Sequence, residues 1–359
     1  MELKNFLNLE PYSLNSVNKS KLLDKYFFRL TKYHYENCLG YKKILDSVKY
    51  DYRNQFNYSD IPFLPVRLFK MFDLYSVSKE NIVKTMTSSG TSGQDVSKIF
   101  LNKETALNQS KVLAKIVSSY LGTKRVPMII IDTPSVLKNR NMFSARGAGI
   151  LGFSIFGAKR IYALDNDMKL NVKAIENFIK VNKNNRIFIF GFTFMIYQHF
   201  IKEIKKQKLK FDLSNSVLIH GGGWKKLINQ SIKSSQFRKM LNRLCGIDSV
   251  YDYYGMVEQT GSIFMECELG NMHTSIFSDI IIRNPFDFSV SKIGEKGVIQ
   301  TLSVLPKSYP GHSLLTDDEG VQLGEDDCGC GRLGKYFKII GRVKSAELRG
   351  CSDTYAEQF

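Results

Sequence analysis

Thr85-Met86-Thr87-Ser88-Ser89-Gly90-Thr91-Ser92-Gly93-Gln94 says more about this chain than any other ten residues in it. The seven residues from Thr87 to Gly93 are all small, so they cannot build a core. They can instead offer hydroxyls and closely approaching backbone N–H groups to an anion, as phosphate-binding loops do. The G-x-x-x-x-G-K-[ST] spacing of a Walker A loop is absent. A flexible Gly/Ser linker is the alternative. The shortness of the run, its apolar flanks and its threonines favour a phosphate loop.

Downstream, apolar runs alternate with amphipathic stretches. Residues 126–131, 186–190, 216–219 and 249–253 read as buried strands, and residues 103–120, 170–181, 194–206 and 224–244 as helices. That βαβα alternation predicts an α/β fold with a largely parallel sheet. Between 274 and 305 the pattern shifts to short β-rich pieces, which predict a smaller antiparallel subdomain. Upstream, residues 15–50 are helical in pattern, with Leu22, Leu23, Tyr26, Phe27 and Leu30 at amphipathic spacing. Pro62 and Pro65 then interrupt the chain and predict an extended linker.

Composition narrows the class. A length of 359 residues allows one large domain or two medium ones, each with a core. The 25 Phe and 18 Tyr, spread throughout, exclude disorder. No apolar run approaches the roughly 20 residues that span a bilayer, so no membrane span is expected. The N-terminus has no basic start leading into an apolar run, and a cytoplasmic protein is expected. The net charge of +17 invites a nucleic-acid reading. Yet the longest basic cluster, Lys202 to Lys210, reads as a solvated helix end, and the other lysines are scattered. No nucleic-acid partner is expected.

Four more segments follow the loop in order. Leu218-Ile219-His220-Gly221-Gly222-Gly223-Trp224 is a Gly-rich turn after a strand, and Tyr253-Tyr254-Gly255-Met256-Val257-Glu258 sets a Tyr-Gly pair ahead of a Glu. Leu315-Thr316-Asp317-Asp318 is an acidic turn, and Gly341-Arg342-Val343-Lys344 a basic one. Singly, these have bland readings: a surface carboxylate, a strand-end histidine, a common turn. In this order they resemble the adenylate-forming enzymes, the superfamily of acyl-CoA synthetases and adenylation domains. The resemblance implies ATP and Mg²⁺. It implies that Thr87, Ser88, Ser89, Gly90, Thr91, Ser92 and Gly93 cradle phosphates, and that Gly221, Gly222 and Gly223 with Tyr253, Tyr254 and Gly255 bound the adenine site. Glu258 would hold Mg²⁺, Asp318 in the Asp317-Asp318 pair the ribose hydroxyls, and Arg342 the nucleotide, with Lys344 at the swivel of a hinge.

A closer likeness rests on Ile61-Pro62-Phe63-Leu64-Pro65-Val66-Arg67-Leu68-Phe69-Lys70, the TSSGTSG loop and Arg349-Gly350-Cys351-Ser352-Asp353. These resemble the acyl-protein synthetase family, the fatty-acid-activating component of bacterial bioluminescence and its relatives. The resemblance implies a large α/β adenylating domain with mixed and parallel sheets over 1–341. Within it, 1–60 is the helical part, 61–273 the α/β core and 274–341 a β-rich subdomain; 342–359 is the hinge and a short tail. It implies that the C-terminal lid of most adenylate-forming enzymes is absent, the chain ending at Phe359. It also implies that Cys351 receives the acyl group. Without it, Cys351 reads as a spectator thiol on a tail; with it, the neighbouring Arg349 is a cation that would favour the thiolate.

The expected activity is therefore ATP-dependent activation of a fatty or other carboxylic acid, then transfer to the Cys351 thiol and on to a reductase subunit or other acceptor. An aryl- or acyl-CoA ligase using free CoA, or a non-catalytic nucleotide-binding relative, are the alternatives. A separate signal comes from the cysteines. Cys328 and Cys330, one residue apart, suit a metal better than a disulfide with each other, and Cys267 and His273 precede them. A Cys₃His set favours structural Zn²⁺, and relatives of the phenylacetate-CoA ligase type carry a similar arrangement. Cys38 and Cys245 read as buried thiols.

Overall fold

The computed structural model describes residues 3–53, 57–88, 96–137, 145–223 and 232–343. In chain order, α1 (Leu3–Leu7), α2 (Ser16–Asn37), α3 (Leu39–Ser47), β1 (Leu64–Pro65), α4 (Leu68–Met71), β2 (Ile82–Thr87) and β3 (Lys98–Asn102) precede α5 (Lys103–Leu121). Next come β4 (Val126–Ile131), α6 (Ala145–Ser154), β5 (Gly157–Tyr162), α7 (Val172–Val181) and β6 (Ile187–Phe192). A helical stretch then runs from α8 (Thr193–Met195) through a π-turn (Ile196–Ile201) to α9 (Lys202–Gln207), followed by β7 (Ser216–Gly221), α10 (Ser234–Cys245) and β8 (Ser249–Tyr254). The described chain closes with β9 (Phe264–Glu266), β10 (Met272–His273), β11 (Ser278–Arg283), β12 (Lys296–Ser303), β13 (Ser313–Glu325) and β14 (Lys335–Arg342). The α/β architecture matches the expectation. No helix among the described residues is long and apolar enough to cross a membrane.

The chain divides into two compact units: Met1–Lys115, Met256–Phe264 and Asn271–Phe359 form the first, and Ile116–Gly255 with Met265–Gly270 the second. In the second unit, β5, β4, β6, β7 and β8 lie side by side, all parallel. Every residue of β6 and of β7 is buried, as expected for central strands covered on both faces. Alternation along the strands sorts two layers. Ile129, Ile189, Leu218 and Val250 pack under Phe200, Phe237 and Leu241 in one core cluster. On the other face Phe153 of α6 stacks on Phe190 with ring centroids 4.3 Å apart. Each fully buried Phe contributes roughly 2–3 kcal/mol of burial free energy, so these layers dominate the unit's cohesion.

In the first unit, β11, β12, β13, β14 and β10 form an antiparallel run, and β1 joins β13 in parallel. The predicted β-rich subdomain is thus a mixed sheet. The Pro62–Pro65 segment is more than a linker: Leu64 and Pro65 pair with Leu314 and Leu315, and Val66 N donates to Leu315 O at 2.9 Å. Proline lacks only its own N–H, so an edge position accepts it. α2 is capped by Asn15, whose side chain accepts from Asn18 N at 3.0 Å, and buries Leu23, Phe27, Leu30 and His34 on one face. The helix predicted over 224–244 is described only as Ser234–Cys245, where Gly246 at φ 73° stops it.

Candidate functional site

Parallel strands present their carboxyl ends together, and ligands of open α/β sheets bind there. In the second unit the register sets Phe192, Gly221 and Tyr253 level at that edge. Gly222, just past β7, turns the chain with φ 73°. At Gly221 and Gly222 the lack of a side chain is a packing requirement. A Cβ on Gly221 would stand 2.3 Å from the Tyr253 ring, and one on Gly222 2.9 Å from Phe192. On Gly223 it would meet nothing within 4 Å. The predicted Gly-rich turn and the predicted tyrosine are therefore one structure, with Tyr253 seated flat against Gly221. Tyr254 and Gly255 follow at the strand end.

Beside this edge lies a polar group that sequence reasoning left undivided. His220 Nδ1 is 2.9 Å from Thr193 Oγ1 and 3.5 Å from Asp252 Oδ1. Burial pushes the His220 imidazole down to about 3, so it is neutral. Asp252 is raised well above the ordinary carboxylate value, first by burial and then by the Glu266 carboxylate, which itself pairs with Arg238 at 2.5 Å. Nothing in the local sequence marks Arg238 or Glu266 as partners; only the fold brings them to Asp252.

In the first unit, Glu258 sits in a short turn, Val257–Gln259, and is 6% exposed. Burial raises its carboxyl above the usual range, opposed by the Ser97 hydroxyl, the backbone and Lys70. No cation among the described residues lies within ion-pair distance of it. A buried carboxylate without a cation is a hard oxygen ligand that suits Mg²⁺. Ser97 also pairs with Ser88 at the end of β2: Ser97 N donates to Ser88 Oγ at 2.9 Å, and Ser88 N to Ser97 O at 3.2 Å. Thr87 ends β2, so two predicted loop residues stand at the base of the β2–β3 hairpin. Ser89, Gly90, Thr91, Ser92 and Gly93 lie outside the described residues.

The acidic and basic turns also meet. Asp318 on β13 is the register partner of Arg342 on β14, their side chains 3.9 Å apart, and Asp317 pairs with Arg67 at 3.2 Å. Arg67 belongs to the Ile61–Lys70 stretch, which carried the signal although no role was drawn from it. Lys344, Arg349 and Cys351 lie outside the described residues. His273 ends β10, and Cys328 and Cys330 lie between β13 and β14, with Cys330 Sγ 3.4 Å from His273 Nε2. Cys267, in the turn from β9 to β10, adds a fourth ligand atom, and all four atoms lie within 4.8 Å of one another. Three sulfurs and an imidazole nitrogen at that spacing are a donor set suited to zinc. Cys38 and Cys245 are buried, as expected.

A family model described as acyl-protein synthetase, LuxE, matches residues 3–359. The chain is 23% identical over 352 residues to a long-chain-fatty-acid–luciferin-component ligase of Aliivibrio fischeri, covering 96% of this chain and 90% of that protein. It is 21% identical over 336 residues to the Vibrio harveyi protein of the same description, covering 91% of this chain and 85% of that one. Among solved structures, a 2-hydroxyisobutyryl-CoA ligase in an open conformation superposes with a TM-score of 0.69 at 14% identity, covering 93% of this chain and 77% of that one. That likeness is one of fold.

Proposed function

The chain belongs to the acyl-protein synthetase family, and on that premise we propose that it activates a long-chain fatty acid with ATP and passes the acyl group to its own Cys351. Its family is that of the acyl-protein synthetases, and its fold is shared with a CoA ligase, which supports an adenylate-forming reaction. A carboxylate is a poor electrophile. In the proposed first step its oxygen attacks the α-phosphorus of ATP, pyrophosphate leaves, and the acyl carbon acquires AMP as a good leaving group. In the second, the Cys351 thiolate attacks that carbonyl and AMP departs, leaving a thioester for hand-over to an acceptor such as a reductase.

Positioning and charge stabilisation carry most of such chemistry. Bound Mg²⁺ would neutralise charge building on the phosphates. Glu258 would hold it, the Ser88–Ser97 neck would fix the phosphate loop, and Asp318 would take the ribose hydroxyls with Arg342 beside it. Tyr253 against Gly221 would wall the adenine. What carries the proposal is the buried Glu258 carboxylate, for which no cation among the described residues lies within ion-pair distance.

Intact-mass measurement after incubation with ATP, Mg²⁺ and a long-chain fatty acid tests it. The expected result is a one-acyl mass increase that hydroxylamine removes and that Cys351→Ser abolishes. An adduct persisting in Cys351→Ser would move the acceptor elsewhere, and acyl-CoA formed from added CoA with no adduct would replace the proposal by a CoA ligase.

We further propose that Cys267, His273, Cys328 and Cys330 hold a structural Zn²⁺. Metal analysis of purified protein should find about one zinc per chain, and its removal should lower the thermal midpoint, because ligation energy adds to folding energy. A metal-free protein of equal stability would sink the idea.

A further inference from the structure

Glu258 rides on a turn of only three residues, too short for an i→i−4 ladder to set its orientation. Something else must. The turn is clamped by the segment between β12 and β13. Tyr309, wholly buried, donates its phenol O–H to the Glu258 carbonyl at 2.8 Å. Gln259 Nε2 donates to Gly311 O at 2.9 Å and to Thr301 O at 3.1 Å. There is no slack in this joint. A Cβ on Gly311 would lie 2.3 Å from the Tyr309 ring and 3.0 Å from Glu258 O. The segment is itself tied down, since Ser76 N donates to Ser308 O at 2.7 Å and Ser308 Oγ to Phe100 O at 2.8 Å.

We propose that Tyr309 is a positioning residue for metal binding: its hydroxyl fixes the Glu258 peptide plane, and so aims the carboxylate. This rests on the reading of Glu258 as the Mg²⁺ ligand. A tyrosine that merely satisfied a buried carbonyl would affect stability alone. One that aims a ligand also changes metal affinity, as the partners behind metal ligands do. Tyr309→Phe deletes one oxygen and keeps the ring against Phe69.

The test is pyrophosphate release by the full chain, titrated with free Mg²⁺ at fixed ATP and fatty acid, beside thermal midpoints. Tyr309→Phe should raise the Mg²⁺ concentration for half-maximal rate about tenfold, with the KM for the acid unchanged. Ile204→Val, a conservative truncation in the second unit's core, should lower the thermal midpoint and leave the Mg²⁺ requirement alone. Should Tyr309→Phe fail to fold, Gly311→Ala strains the same joint from the other side and should show the same shift. A parental Mg²⁺ requirement in Tyr309→Phe, or in Gly311→Ala where that variant decides, overturns the inference while Glu258→Gln is impaired. A parental Mg²⁺ requirement in Glu258→Gln overturns the reading beneath it.

Discussion

Glu258→Gln should slow pyrophosphate release by about 10²–10³-fold, the scale at which one preorganised electrostatic contact is lost. The substitution keeps the size, removes the charge and exchanges one acceptor oxygen for an amide donor. Its backbone ties, the Tyr309 bond among them, are untouched. Stability should hold or rise, because burial already disfavours the carboxylate that the variant deletes. Activity lost and stability kept is the pattern of a residue retained for function at some cost to the fold. Steady-state pyrophosphate assays and a thermal melt measure both; a parental rate would remove Glu258 from the mechanism.

The second large effect is acid sensitivity centred on two stacked histidines. His34 and His312 in the first unit lie with ring centroids 4.8 Å apart, 0% and 1% exposed. His34 Nε2 faces Pro306 O and its Nδ1 faces Ser76 Oγ, while His312 Nε2 faces Thr31 Oγ1, and the Tyr33 and Tyr41 rings pack against His34. No acid accompanies them among these contacts. Burial pushes His34 down to about 3, and His312 well below its ordinary value, with His34 adding to the shift. The folded values lie below the unfolded one, so the stabilising term is intact above about pH 6.5 and is lost as pH falls toward the folded values. His34 alone should cost about 1.4 kcal/mol at pH 5.5 relative to pH well above 6.5, and His312 adds in the same direction. Asp132, Asp252 and Glu258, all raised by burial, act in the opposite sense, so the difference between variants is the cleaner measure. His34→Gln should be less stable near neutrality, yet lose about 1 kcal/mol less than the parent between pH 6.5 and 5.5. Denaturant titrations across that range decide it, and parallel pH profiles would refute the assignment.

The part of the candidate site whose geometry is described, the Gly-rich turn against Tyr253, is legible in the chain because its demands are local. A phosphate loop needs consecutive small residues, and a tight turn against an aromatic ring needs Gly221. Those demands are written in adjacent positions. The buried strands are legible for the same reason, since 126–131 and 217–219 are continuous apolar runs. β5 is harder to read: Gly157–Tyr162 contains Lys159 and Arg160 and sits at the sheet edge, where one side is open to solvent. Leu64–Pro65 also hides as a linker, because two residues carry no period and only their partner strand defines them.

The net charge, the motif order and membership of the acyl-protein synthetase family were determined by the amino-acid sequence itself, as each depends on which residues occur and in what succession. The partners were decided only by tertiary structure. Arg67 reaches Asp317 across 250 positions, Glu266 reaches Asp252 and Arg238, and Tyr309 reaches back 51 positions to the carbonyl of Glu258. Hydrogen bonds and ion pairs act over a few ångströms of space, and chain separation leaves no periodic trace of them. A tyrosine that holds a distant backbone carbonyl looks, in sequence, like any other tyrosine before a proline.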